Sequence, residues 1–108
     1  MVEELNTLAR VLDLPCRAEG YYPGWPFEAE SKMRELLTSC CQEILGKTPW
    51  NWAAHGGLEG GVFKSKWTDM DIVTLGPTME GEHTPEERLN IKSFDECYEV
   101  IKEMLKRL

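Results

Sequence analysis

Two prolines three residues apart, in Tyr22-Pro23-Gly24-Trp25-Pro26, divide this 108-residue chain at a point through which neither a helix nor a paired strand can run. Each fixes its own φ and removes a backbone donor, so the segment reads as a hinge and as the one credible boundary. Before it, Val2, Leu5, Leu8, Ala9 and Leu12 fall at helical spacing, with Glu3 and Glu4 in the first turn. An extended stretch over residues 14–22 follows. One helix and one strand cannot bury their own apolar faces, so the first 22 residues read as the tail of a larger unit.

Beyond the hinge the periodicities alternate. Met33, Leu36, Leu37, Cys40, Cys41, Ile44 and Leu45 predict a helix over 31–45, with Ser31 as N-cap and Gly46 as its C-terminal stop. Residues 50–54 predict a short strand. The run Gly56-Gly57-Leu58-Glu59-Gly60-Gly61 then leads into a short helix over 62–66. Ile72, Val73 and Leu75 predict a buried strand over 71–75, stopped by Gly76-Pro77. Phe94, Cys97, Tyr98, Ile101, Met104, Leu105 and Leu108 predict a closing helix over 93–108, opened by a Ser93-x-x-Glu96 capping box. Helices alternating with short apolar strands imply an α/β arrangement with parallel strands.

Charge and cysteine usage exclude several roles. With 19 acidic against 12 basic residues, the net charge of −7 and the scattered lysines and arginines argue against nucleic acid as a partner. No apolar run approaches the roughly 18–20 residues of a membrane span, and no signal-peptide core opens the chain. Cys16, Cys40, Cys41 and Cys97 form no CxxC pair, and Cys40 and Cys41 sit on the apolar side of a helical pattern. That pattern predicts reduced thiols without zinc, and a soluble cytoplasmic protein.

The candidate chemistry lies with two histidines beside glycines and carboxylates, His55 and His83, in loops that follow predicted strands. Ligands of open α/β sheets bind in such loops, so both histidines are placed to face one crevice. Each also has a structural reading. His55 can shape a turn whose glycines permit a tight passage into the next helix. His83 precedes Thr84-Pro85-Glu86-Glu87, which reads as a capping box opening a helical turn. A catalytic zinc takes about three protein ligands plus an open position. Two histidines without a His-Glu-x-x-His motif leave such a site incomplete.

Four motifs in order carry a resemblance. His55-Gly56-Gly57-Leu58-Glu59-Gly60-Gly61 resembles the HAGLECG segment of bacterial aminoacyl-histidine (Xaa-His) dipeptidases, members of the M20 di-zinc metallopeptidases. Asp69-Met70-Asp71-Ile72-Val73-Thr74-Leu75-Gly76-Pro77 is similar to MDMVSIGP, and His83-Thr84-Pro85-Glu86-Glu87-Arg88 to HSPDER. Tyr22-Pro23-Gly24-Trp25 resembles YPGW. The departures are Gly56 for Ala, Gly60 for Cys, Thr84 for Ser and Glu86 for Asp.

The resemblance implies a C-terminal segment of an M20-type catalytic α/β domain. Residues 1–22 would be the last helix and strand of an inserted lid domain, and 23–108 the returning catalytic segment. It implies that His83 ligates one of two metals, zinc or another divalent ion such as manganese or cobalt, and that Glu59, Gly60 and Gly61 line the site near the substrate's amino end. The general-base Glu and the remaining ligands would lie in the N-terminal half, the expected partner, so this chain holds no catalytic residue of its own. The chain alone is then expected to be inactive, to bind no metal and to be prone to self-association through its unpartnered surface. The competing reading is a stand-alone binding or assembly module derived from the same fold. A reading frame extending several hundred residues upstream would favour the fragment.

Overall fold

The computed structural model describes residues 1–53 and 56–108. The element order is α1 (Val2–Val11), α2 (Lys32–Leu45), α3 (Glu59–Lys66), β1 (Met79–Glu80), β2 (Arg88–Leu89) and α4 (Ile91–Arg107). β1 and β2 pair antiparallel, Met79 opposite Leu89 and Glu80 opposite Arg88.

α2 begins and ends on local chemistry. Ser31 is extended, and its Oγ accepts from the Arg34 N–H at 3.0 Å. Gly46 takes the left-handed conformation, φ 65°, and its N–H returns to the Gln42 carbonyl. A distant residue reinforces the start: Asp71 accepts from the Ser31 hydroxyl at 2.6 Å and from the Met33 N–H at 2.9 Å. A carboxylate at the positive end of the helix is favourable, and these two donors, Met33 first, hold the Asp71 carboxyl below its usual range.

α4 starts earlier than the 93–96 capping box predicts. Its N-cap is Asn90, whose Oδ1 accepts from the Ser93 N–H at 3.1 Å. An amide oxygen three residues upstream takes the Ser93 N–H that the Glu96 carboxylate would accept in a box centred on Ser93. Glu96 instead lies within 3.7 Å of Lys47 and 3.6 Å of Lys92.

The core is the seam between these two helices. Leu37, Cys40 and Cys41 of α2 meet Val100 and Met104 of α4, with Met33, Leu36, Leu45 and Val73 packed at the margin. Cys40 and Val100 are fully buried. Arg107 clamps the rim, donating to both Glu43 carboxylate oxygens at 3.0 and 2.6 Å.

Two expected strands do not form ladders. Residues 71–75 run without a paired neighbour, Asp71, Ile72 and Val73 half-buried, and residues 50–53 are likewise unpaired. Residues 14–22 are exposed and unpaired too. A strand exists only with a partner to hydrogen-bond, and β1–β2, antiparallel rather than parallel, is the only ladder among the described residues. α1 has no buried residue. The Cα radius of gyration is 18.5 Å, where a compact domain of this length has about 13 Å. The accessible surface is 9109 Å², against about 6,100 Å² for a folded monomer of this mass. Apolar surface that a self-contained domain would bury is left outside.

Met104→Ala is expected to remove about 2–5 kcal/mol, enough to abolish the cooperative thermal transition of so small a core. An unchanged midpoint in circular dichroism would place the core elsewhere. Acid acts at the rim. The Arg107 hydrogen bond, with a smaller one from Ser39, pulls Glu43 from 4.5 to about 2. A depressed carboxyl contributes stability in full above its unfolded value; it is lost as pH falls from about 4.5 toward 2. Thermal melts between about pH 6 and pH 3 should therefore show a smaller loss in Glu43→Gln than in the parent chain.

Candidate functional site

The short helix α3 starts at Glu59, three residues earlier than expected. Its N-cap is the extended Leu58, whose carbonyl accepts from Gly61 N–H at 2.9 Å. Its first turn is shaped by absent side chains. A Cβ at Gly61 would lie 1.9 Å from the Pro23 carbonyl oxygen and 3.2 Å from the Gly24 Cα. A Cβ at Gly60 would lie 2.9 Å from the Trp25 ring and 3.3 Å from Ile72 Cγ2, and one at Gly57 2.8 Å from the Tyr22 ring. The Tyr22-Pro23-Gly24-Trp25 turn is therefore seated directly on the glycine run. Gly60 and Gly61 are buried, whereas Glu59 is exposed at the helix's first position.

Gly56 differs: among the described residues nothing lies within 4 Å of a Cβ built there. Its neighbour His55, with Ala54, lies outside the described residues.

His83 sits in the seven-residue loop between β1 and β2, just before a single turn in which Glu86 N–H donates to Thr84 Oγ at 3.3 Å and which no helix continues. Thr84 hydroxyl donates to the Gly81 carbonyl at 2.7 Å, and Glu87 N–H to the Thr84 carbonyl at 3.2 Å, which closes turns. Gly81 and His83 both take left-handed backbone, φ 65°. For His83 this is uncommon, and its N–H is held by Glu87 Oε2 at 2.9 Å. Glu80 and Arg88 pair across the base of the loop. The whole loop is exposed, and among the described residues no partner engages the His83 ring.

Lys64 of α3 ties this region to the hinge, pairing with Glu28 and donating to the Met70 carbonyl at 2.8 Å. An open cavity of about 320 Å³ lies beside it, lined by Trp25, Arg34, Trp50, Trp52, Asp71 and Thr74 among others. Trp50 and Trp52 stack at 6.1 Å. The charged groups there are already engaged: Asp71 caps α2, and Arg34 donates to the Glu28 and Ala29 carbonyls. Neither Glu59 nor His83 lines this cavity.

Among the described residues no three His, Cys, Asp or Glu side chains converge as a metal site. His83 offers one imidazole donor, a chemistry that suits zinc, and about two further donors have to come from outside the described residues. The thiols offer no alternative. All four are free, with Cys40 and Cys41 buried, and burial is the first cause raising both Cys41 and Cys97. The role of Asp71 escapes a local reading; an acidic residue heading an apolar run is its only signal.

No protein-family model matches the chain. The cytosol non-specific dipeptidase of Escherichia coli (strain K12) is 35% identical over all 108 residues, which span 22% of that enzyme. The crystal structure of aminoacylhistidine dipeptidase from Vibrio alginolyticus superimposes on 98% of the chain with a TM-score of 0.77 and 28% identity, again over 22% of its length. The chain spans about one fifth of each relative. Each match takes in nearly the whole chain but only one stretch of a dipeptidase, and the structural likeness supports an α/β fold.

The glycine contacts generate a paired test. Gly61→Ala drives a methyl into the Pro23 carbonyl and should cost about 1–3 kcal/mol, with faster proteolysis at the 22–26 turn. Gly56→Ala meets open space and should behave as the parent chain. Equal behaviour of the two variants would show that the turn does not rest on α3.

Proposed function

We propose that this chain, matched over its whole length by one segment of the dipeptidases, supplies one metal ligand and one wall of the substrate pocket to a cytoplasmic, M20-type, metal-dependent dipeptidase acting on Xaa-His dipeptides. Residues 23–108 belong in this reading to the catalytic domain, and residues 1–22 to the end of the lid. The observation that carries it is the full-length match to two dipeptidases, each about five times longer than the chain.

His83 would hold one metal through its imidazole, presented on an exposed loop where ligands from another segment can reach it. Bound there, the two metals, zinc or a similar divalent ion, would supply Lewis acidity toward the dipeptide carbonyl. Glu59 stands exposed at the first turn of α3 and attracts the substrate's amino end; Gly60 and Gly61 form the wall behind it. The N-terminal half of the enzyme provides the other ligands and the proton-shuttling carboxylate. The exposed surface of 9109 Å² favours this reading over a self-contained binding module.

The test is hydrolysis of β-alanyl-histidine, or another aminoacyl-histidine dipeptide, with added Zn²⁺ or Mn²⁺. The purified 108-residue chain should show no turnover. In a full-length enzyme carrying this segment, His83→Ala should remove one of two metals and most of the turnover. Turnover by the short chain that disappears in its own His83→Ala variant would show that the site is complete within these residues.

A further inference from the structure

The β1–β2 ladder has two residues per strand, and a hairpin that short does not hold its own position in water. What fixes the loop carrying His83 must lie at its base. There the residue before β1 is captured on both sides of its backbone. Thr78 N–H donates to Ser93 Oγ at 2.8 Å, and the Thr78 carbonyl accepts from Asn90 N–H at 3.0 Å. Ser93 Oγ in turn donates to the Asn90 carbonyl at 2.7 Å, while Asn90 Oδ1 accepts from Ser93 N–H at 3.1 Å. One hydroxyl thus joins the entering strand to the N-cap of α4, the longest helix and half of the core seam.

We infer that Ser93 is a positioning residue for His83, transmitting the rigidity of α4 to the metal-ligand loop through Thr78. The inference rests on His83 being a metal ligand. Ser93 acts through Thr78 and Asn90, the residues its hydroxyl engages. Its hydroxyl has both roles filled, accepting from Thr78 and donating to Asn90, so Ala at this position removes one of the two backbone anchors of Thr78 while leaving the Asn90 N–H bond to its carbonyl and the Asn90 cap in place. Residues that orient metal ligands from behind typically alter affinity by 10–100-fold, and a tether several residues removed belongs near the lower end.

The experiment uses a full-length enzyme carrying this segment, with zinc titrated against a chelator and two sites resolved per chain. Ser93→Ala should weaken the His83 site by about tenfold and leave the other site unchanged, with kcat reduced more than KM. Ser93→Thr, which keeps the hydroxyl, should return affinity to the parent value. Circular dichroism melts of each variant separate this from a change in α4 stability, which would move the midpoint without selecting one metal site. Loss of one zinc in His83→Ala, together with parent-like zinc binding in Ser93→Ala, would overturn the positioning role and leave the ligand assignment standing. Retention of both metals in His83→Ala would remove the ligand assignment itself.

Discussion

The packing of α2 against α4 is the contact on which the core and the extended segment over 71–78 depend. Two side chains, Cys40 and Val100, are completely withdrawn from water there, and Leu37, Cys41 and Met104 nearly so. Each full burial of this kind contributes roughly 1.5–3 kcal/mol before the entropy of ordering is subtracted. The seam is small, and its rim charges do correspondingly more to set the register. Arg107 bridges Glu43 on the facing helix and Glu103 one turn back on its own, so the ion pairs act together.

From that seam, order spreads outward by hydrogen bonds rather than by further apolar packing. Asp71 ties the extended segment to the start of α2, Val73 of the same segment reaches the core margin, and Asn90 with Ser93 ties its far end to the start of α4. The segment over 71–78 is thus pinned at both helix N-termini. The hinge is held differently, by close backbone approach: Pro23 and Trp25 lie on α3 where Gly60 and Gly61 leave no side chain to exclude them. Two motifs that are 35 residues or so apart in sequence form one contact, which explains why the resemblance to the dipeptidases extends to both.

The same economy leaves much apolar surface uncovered. Leu5, Leu8 and Leu12 around α1, and Trp50, Trp52 and Phe63 further on, are each exposed by 51% or more, too much for a finished domain of this length. Under the proposed function those apolar faces would be covered by the rest of the enzyme.

The sequence by itself determined the helices, the glycine run and the kinship. A helix is closed by bonds four residues apart and capped within one more turn, so Ser31, Gly46 and the periodic leucines sufficed to place α2 within a residue. The order of four motifs likewise pointed to the dipeptidases, to one stretch of which the whole chain is similar. Tertiary structure decided what depended on distant partners. Asn90 displaced Ser93 as the cap, and Ser93 became instead the acceptor for Thr78, a choice no local pattern contains. The apolar run over 71–75 has the composition of a buried strand, yet its ladder depends on a neighbour, and among the described residues it is held instead by Asp71 at the start of α2 and by Val73 at the core margin. His83 stands on a loop for the same reason: Thr84-Pro85-Glu86-Glu87 makes its capped turn, but β1 and β2 pair across seven residues and no helix continues beyond it.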